Sequence, residues 1–281
     1  MLVSRIDRFI GCMVGAAVGD ALGGPLEFMT AEQIKTKHGE VTDYLGGGWL
    51  ALEPGAWTDD SQVALITANL LIAKAGFHGD HLAAGLLKWM VKGPVDIGGT
   101  TACSLGRYAA GLHWTVCGVA DEMSQANGCL MGVHPIALAY DGTGMAPNLA
   151  AQAAAITHRH INCQAAVAEL AQALGQLLAG GHVVLTTSRA KPDSIGYVWT
   201  TYDTAVRACA APDFETGMIR VINQGGDADT NGAVAGALLG AQFGVNGIPR
   251  RWRDGLQDLA AFVGAGKKLE ALNCLIKSKG V

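Results

Sequence analysis

Apolar side chains recur at steps of three and four residues along most of the chain, which is the spacing of one face of an α-helix. Near the N-terminus this face comprises Ile6, Phe9, Ile10, Met13 and Ala17. The segment after Thr58 is apolar nearly all round, which predicts a central, buried helix. Further helices are predicted over residues 80–92, 100–111, 147–157, 163–179, 195–210, 214–224, 231–243 and 253–276, the last in two pieces.

Evidence for strands is slight. The one convincing β-branched run, Val183–Thr187, is too short and solitary to build a sheet. Many of the 39 glycines stand in blocks between the predicted helices, at 23–24, 46–48, 98–99, 142–144 and 225–226. Glycine in such blocks lets the backbone approach a ligand closely. We therefore expect one compact all-α domain of orthogonal helices over residues 1–281, with a pocket formed by its loops.

The composition limits the classes of protein to which this chain can belong. Half of the 281 residues are hydrophobic and 16% are charged, as expected of a globular protein with a large core. The net charge of −4 argues against nucleic acid as a main partner. The single dense basic run, Arg250-Arg251-Trp252-Arg253, is explained by a solvated helix end.

The cysteines and the longest apolar stretches suggest a cytoplasmic protein. The seven cysteines are odd in number and form no C-x-x-C pair, which predicts reduced, mostly buried thiols. Two uncharged stretches, 170–188 and 231–249, approach the length of a membrane span, but glycines and polar residues interrupt both. At the N-terminus, Asp7 and glycines break the pattern of a signal peptide. No membrane span is expected.

Two acidic clusters carry the chemistry. Thr58-Asp59-Asp60 and Asp227-Ala228-Asp229-Thr230 lie about 170 residues apart, and each follows a turn and begins a predicted apolar helix. Taken alone, the first is explained by helix capping. If the two helix starts meet, however, like charges about 4 Å apart cost roughly 4 kcal/mol per pair at an effective dielectric near 20. Such a cluster requires cations, and its oxygen ligands suit a pair of Mg²⁺ or Mn²⁺ ions better than zinc. The other candidate pair, His78-x-x-His81, has no recognisable third ligand and is interpreted as surface histidines.

Several motifs together resemble the ADP-ribosylglycohydrolase family. They are Gly19-Asp20-Ala21-Leu22-Gly23 with Glu27-Phe28, the two acidic clusters, Asn127-Gly128, Ile156-Thr157-His158 and Gly225-Gly226. Gly46–Leu50, Asn223-Gln224 and Ile248–Trp252 are similar to the bacterial branch that activates dinitrogenase reductase. The resemblance implies an all-α fold, two Mg²⁺ or Mn²⁺ ions and hydrolysis of the bond between ADP-ribose and an arginine side chain. By analogy alone, the partner would be an ADP-ribosylated protein such as dinitrogenase reductase, with ADP-ribose as product.

The resemblance also assigns roles to residues. The metal-ligand positions are Thr58, Asp59, Asp60, Asp227, Asp229 and Thr230, and the substrate positions are Gly98, Gly99, Asn127, Gly128, His158 and Tyr197. Asp96 matches an acidic position implicated in proton transfer, with capping of the next helix as its alternative. Glu27 would gate the metals or assist the proton step, with a surface salt bridge as its alternative. Asp20, at the end of the first helix, would lie next to the metal ligands and orient them without binding the ions itself.

The sequence also departs from the family pattern. Gly132 stands where the family commonly has arginine after Asn-Gly-x-x-Met, and the segment before Tyr197 is shortened. These departures leave two alternatives open. The enzyme would act on a different linkage, to serine or in a free metabolite, or the chain would be a non-catalytic module that binds ADP-ribose.

Overall fold

The computed structural model describes residues 3–191 and 194–280. Within these residues it has thirteen α-helices and no β-strand. They are α1 (Arg5–Gly23), α2 (Ala31–His38), α3 (Asp59–Lys74), α4 (Gly79–Val91), α5 (Gly99–Ala109), α6 (Val133–Ala139), α7 (Ala146–Ala154), α8 (Ile161–Leu178), α9 (Val198–Ala208), α10 (Phe214–Ile222), α11 (Ala228–Phe243), α12 (Arg250–Gly255) and α13 (Leu259–Ser278). Short 3₁₀ turns follow α1, precede α6 and follow α11. The all-α prediction is confirmed.

All the helices predicted from periodicity are present, but α2 and α6 were not predicted. The first, α2, is polar and buries only Ile34, so it has no apolar stripe. Every residue of the seven-residue α6 is buried, so its two turns show no contrast between faces. The run Val183–Thr187 forms no strand and follows an irregular path, in agreement with the sequence.

Direct backbone contact between α1 and α11 forms the centre of the fold. On α1, Gly11, Gly15, Gly19 and Gly23 recur every four residues and therefore share one face. Each lies against one residue of the antiparallel α11, in the order Gly240, Gly236, Gly232 and Ala228. A β-carbon on Gly19 would lie 1.9 Å from the carbonyl oxygen of Gly232, so no side chain fits between these helices. The last turn of α1 is thereby held beside the first turn of α11.

Asp20 ties a third helix to this pair. Its carboxylate, in the last turn of α1, accepts the backbone N–H groups of Thr58 and Ser61 at 3.0 Å and the Ser61 hydroxyl at 2.5 Å. These donors belong to the first turn of α3, where four backbone N–H groups have no partner within the helix. Asp20 thus places the start of α3 against the end of α1. The starts of α3 and α11, which carry the two acidic clusters, therefore both lie beside the end of α1.

The remaining helices bury this centre. The main core runs from Phe9 on α1 to Ile276 on α13, and a smaller cluster around Leu82, Leu86 and Leu105 joins α3, α4 and α5. The segment Arg5–Leu26 has the length and the mean hydropathy, 1.4, of a membrane span, yet its apolar stretch is buried within the fold. The fold therefore accounts for its hydrophobic character.

The basic run and the cysteines agree with the sequence analysis. Trp252 is fully buried, while Arg250 pairs with Asp254 within α12, and Arg251 pairs with Glu215. Of the cysteines, all but Cys103 and Cys274 are buried, and none forms a disulfide.

Candidate active site

The two acidic clusters meet at the starts of α3 and α11. The Thr230 hydroxyl donates to Oδ2 of Asp60 at 3.0 Å, which joins residues 170 positions apart. On the same side, one carboxylate oxygen from each of Glu27, Asp227 and Asp229 lies within 4.8 Å of the others. Asp60 and Asp229 are 3% and 2% exposed, so these carboxylates are crowded together away from water.

Burial and the neighbouring carboxylates raise the pKa of four carboxyl groups in the cluster. Burial, reinforced by neighbouring carboxylates, raises the pKa of Asp60 and Asp229 well above the usual range. The same causes raise the pKa of Asp59 to about 8, and burial chiefly raises that of Glu27 to about 7. Without a compensating positive charge, the cluster therefore holds protons near neutral pH.

The oxygen atoms of this cluster fit divalent cations. Oδ1 of Asp60 is buried and has no hydrogen-bond partner within the described parts of the chain. A buried, unpaired carboxylate oxygen is costly unless a cation or donor reaches it. Carboxylate and hydroxyl oxygens are ligands for Mg²⁺ or Mn²⁺ rather than for zinc. Thr58, the remaining predicted ligand, is fully buried, and its hydroxyl accepts the N–H of Asp60 at 3.4 Å as the cap of α3.

A hydrogen-bonded chain supports the cluster from the side of α9. The Asn127 amide donates to Asp227 Oδ2 at 3.0 Å and to the Thr201 hydroxyl at 2.9 Å. Thr201 in turn donates to Oδ1 of Asn231 at 2.7 Å. Thr201 and Asn231 were not predicted. Asn231 lies four residues after Asp227, hence on the same side of α11, and that spacing was the available signal.

A cavity of about 360 Å³ opens above the carboxylates. Its lining includes twelve of the predicted site residues, namely Glu27, Asp59, Asp60, Asp96, Gly98, Gly99, Asn127, Gly128, His158, Asp227, Asp229 and Thr230. It also includes residues that were not predicted, among them Trp49, Met131 and Ile195. Thr58 and Tyr197 are outside this lining.

The two candidate proton-transfer residues both face the cavity. Glu27 is 9% exposed and accepts the indole N–H of Trp49 at 2.5 Å, so its recorded partner is an aromatic residue and not the predicted alternative of a salt bridge. Asp96 accepts the N–H of Ile97 at 2.7 Å. The helix that follows, α5, begins at Gly99 with no side-chain cap, so Asp96 does not have the alternative capping role.

Two of the predicted substrate residues, His158 and Tyr197, differ in their position relative to the cavity. Burial lowers the pKa of His158 to about 4, so this histidine is neutral where it lines the cavity, with Nδ1 2.9 Å from the Thr157 hydroxyl. Tyr197 is 9% exposed, and the Lys191 ammonium lies 4.3 Å from the centre of its ring. Its neighbour Gly196 reaches the cavity instead, and the Gly196 carbonyl accepts the N–H of Asn127 at 2.8 Å.

The departure at Gly132 lies outside this cavity. A β-carbon there would lie 3.2 Å from Val63 and 3.4 Å from Thr67, both on α3. Gly132 lines a separate, small cavity of about 30 Å³ between α3 and α6. This departure therefore lies where α3 and α6 pack together, and not in the lining of the larger cavity.

His78, Asp80 and His81 form another group of potential metal ligands, with one atom of each within 4.8 Å of the others. They lie at the start of α4, where the partial positive charge of the helix opposes a cation. His78 and Asp80 are exposed, which agrees with their interpretation as surface residues.

Comparison with known families identifies the class of protein. The ADP-ribosylglycohydrolase family pattern matches residues 1–278. The chain therefore belongs to this family of hydrolases, and the resemblance noted in the sequence is confirmed.

Individual relatives narrow the comparison. ADP-ribosyl-[dinitrogen reductase] glycohydrolase of Rhodospirillum rubrum is 35% identical over 88% of this chain and 89% of its own length. ADP-ribosylarginine hydrolase Tri1 of Pseudomonas putida (strain GB-1) is 29% identical over 88% of this chain and 73% of its own. The solved structure of an ADP-ribosylglycohydrolase-related protein complex matches with a TM-score of 0.85 at 33% identity, over 96% of this chain and 99% of that one.

Proposed function

We propose that this protein hydrolyses the N-glycosidic bond between ADP-ribose and an arginine side chain of a target protein. The observation that carries the proposal is the buried carboxylate cluster at the starts of α3 and α11, joined by the contact of Thr230 with Asp60. The relative named ADP-ribosylarginine hydrolase, at 29% identity, supports arginine as the acceptor. The relative named for dinitrogen reductase, at 35% identity, supports a protein as the target.

The cluster would hold two Mg²⁺ or Mn²⁺ ions through Asp59, Asp60, Asp227, Asp229 and Thr230, with Thr58 at the rear. When bound, such ions supply electrostatic polarisation of the sugar hydroxyls and of water. Asp20 and Asn127 would orient the ligand turns, because Asp20 accepts from the α3 backbone and Asn127 donates to Asp227.

The residues around the cluster would bind the rest of ADP-ribose. Gly98 and Gly99 begin α5 and have no atom within 4 Å of the position of a β-carbon, so a pyrophosphate can approach this backbone and the N–H groups of the first turn. Neutral His158, beside Gly128, would offer a hydrogen bond without a charge.

Hydrolysis forms one bond from the anomeric carbon to a water oxygen and breaks one bond from that carbon to the guanidine nitrogen. The electron pair of the broken bond leaves with the nitrogen, which gains a proton, while the water loses one. We assign this proton transfer to a cavity carboxylate, with Asp96 first and Glu27 second.

The target would be a cytoplasmic protein that carries ADP-ribosyl-arginine. Dinitrogenase reductase is the candidate by analogy with the Rhodospirillum rubrum relative. The choice rests on that analogy, because fold similarity alone does not determine a substrate.

The test is release of ADP-ribose from peptides with arginine and serine linkages, with Mn²⁺ or Mg²⁺ added. We expect turnover of the arginine linkage and its loss in Asp229→Asn, whereas Asp254→Asn, an exposed aspartate on α12, retains activity. Turnover of the serine linkage alone would assign a different acceptor. Tight binding of ADP-ribose without turnover of either peptide would indicate a binding module.

A further inference from the structure

Two large aromatic side chains stand exposed at the mouth of the cavity. Phe28 is 57% and Trp49 is 54% exposed, and their ring centres lie 5.7 Å apart. Single exposed apolar residues are common on protein surfaces, whereas an adjacent pair at the edge of a cavity indicates a binding surface. We call Phe28 and Trp49 the aromatic pair.

The backbone holds Phe28 outward against its own preference. Its φ of 64° lies in the left-handed region, which bulky residues rarely adopt. The Phe28 N–H donates to the Gly226 carbonyl at 2.7 Å, and the Gly226 N–H donates to the Met29 carbonyl at 2.7 Å. Such strained conformations cluster at functional sites. Here the turn that carries Asp227 maintains this conformation.

A glycine loop presents Trp49. Gly46, Gly47 and Gly48 have φ values of 70°, 87° and 71°, so three consecutive residues are left-handed. Two hydrogen bonds between Gly47 and Leu52, at 2.6 and 2.8 Å, close the loop. The Trp49 indole nitrogen donates to Oε2 of Glu27 at 2.5 Å. One carboxylate oxygen of Glu27 lies within 4.8 Å of one oxygen from each of Asp227 and Asp229. The ring is therefore held one hydrogen bond from the carboxylate cluster.

The aromatic pair separates two cavities. Phe28, Trp49 and Glu27 line both the 360 Å³ cavity above the carboxylates and an open cavity of about 860 Å³ along α2. The second cavity also contains the side chains of Glu32, Gln33, Thr36 and Lys37. A substrate that spans the two cavities has to pass the aromatic pair.

We infer that the aromatic pair is the acceptor subsite, where the rings contact the guanidinium group of the target arginine. The inference rests on the proposed function: with the ribose at the carboxylates and the nucleotide in the first cavity, the arginine leaves towards the second. A planar guanidinium stacks on aromatic faces. Two carboxylates, Glu27 and Glu32, and one ammonium group, Lys37, line this space, so the balance of charge favours a cation there. The target segment then lies along α2.

Three substitutions test the inference with an ADP-ribosyl-arginine peptide. Trp49→Leu removes the ring, and Phe28→Asn removes the other ring with a residue that tolerates the left-handed region. We expect each to raise KM about tenfold, the size of a partly desolvated cation–π contact. Trp49→Phe keeps a ring, so KM should be retained. It loses the N–H that donates to Glu27, a candidate for the proton transfer, so kcat should fall. Val91→Asn, exposed and outside both cavities, is the control.

Binding of ADP-ribose, measured by calorimetry, distinguishes an effect on the acceptor arginine from an effect on the nucleotide. We expect the affinity to stay within about twofold of wild type in Trp49→Leu, because a lost aromatic contact is felt only by the group that stacks on it. The inference would be overturned if Trp49→Leu weakened ADP-ribose binding by the same factor as it raised KM. An unchanged KM in Trp49→Leu would also overturn it.

Failure of the proposed function is a separate result. A wild-type protein without turnover of the arginine linkage would contradict that function, and binding of agmatine, a free guanidinium compound, to the ADP-ribose-loaded protein then tests the subsite. Agmatine binding that weakens in Trp49→Leu would support the subsite. Equal binding by wild type and variant would eliminate it.

Discussion

Asp60 illustrates how single residues determine this site. One of its carboxylate oxygens accepts the Thr230 hydroxyl, and the other is buried without a hydrogen-bond partner within the described residues. A structural aspartate in a core would have both oxygens satisfied. The buried, unpaired oxygen destabilises the metal-free protein, and a bound cation would remove this cost.

The substitution Asp60→Asn tests whether this residue binds a cation. The amide oxygen can still accept from Thr230, while one negative charge is lost from the cluster. We expect the metal-free variant to be more stable than metal-free wild type at pH 8 by about 1 kcal/mol or more, because folding no longer has to protonate Asp60 or to bury its charge among like charges. Added Mn²⁺ should stabilise wild type and have little effect on the variant.

Thermal unfolding with and without a chelator measures both effects, and Asp254→Asn serves as the matched exposed control. Equal stabilisation of Asp60→Asn and wild type by Mn²⁺ would remove Asp60 from the metal site.

At the residue scale, the sequence predicted the groups with chemistry and one supporting group, Asp20, and missed the other groups that support them. The carboxylates were recognisable because charged residues at the starts of apolar helices demand an explanation. Trp49 and Thr201 carry no such signal, since a tryptophan is usually explained by packing and a threonine by exposure to solvent. Asn231 had only its spacing from Asp227. The roles of these three residues depend on contacts across 22, 74 and 30 positions, which no local pattern encodes.

At the scale of elements, the contact between α1 and α11 brings the acidic turns together. The glycines at 11, 15, 19 and 23 were visible in the sequence, but their partners on α11 were not, because pairing of distant helices leaves no local trace. The starts of α3 and α11 were predictable from their turns. By contrast, α2 and α6 had no usable periodicity, the first being polar and the second wholly buried.

The helix contact predicts opposite outcomes for two glycine substitutions. In Gly19→Ala the new methyl group would meet the Gly232 carbonyl at 1.9 Å and force the helices apart. We expect a loss of about 1–3 kcal/mol or more, as for other overpacked cores. In Gly264→Ala, within α13, nothing lies within 4 Å, so a gain of about 0.5–1 kcal/mol is expected from helix propensity.

Denaturant unfolding compares the two variants, and metal affinity provides a second measurement. Because α1 positions Asp20, Gly19→Ala should also weaken Mn²⁺ binding. A Gly19→Ala variant as stable as Gly264→Ala would contradict the close approach of α1 and α11.

At the scale of the whole molecule, the carboxylate cluster links stability to pH and to metal. Asp20, Glu27 and Asp59 have pKa values raised by burial to about 6, 7 and 8. A carboxyl group whose pKa is higher in the folded than in the unfolded state stabilises the fold at low pH, and this stabilisation is lost as pH rises. Metal-free protein should therefore melt at progressively lower temperature between pH 6.5 and pH 9.

The lower limit of this range avoids a competing effect. Burial lowers the pKa of His134 to about 3 and that of His158 to about 4, so both cost stability only as the pH falls below about 6.5, the ordinary value. Excess Mg²⁺ or Mn²⁺ should reduce the loss at high pH, because cations favour the ionised carboxylates. A metal-free melting temperature that is constant or rises over this range would contradict the account.

The most direct measurement is anomalous diffraction from crystals soaked in Mn²⁺. The account predicts two Mn²⁺ peaks about 3.5–4 Å apart, as in other two-metal sites, with oxygens of Asp60 and Asp229 as ligands. Crystals that diffract well and show no Mn²⁺ between the starts of α3 and α11, or show it only at His78 and His81, would contradict it.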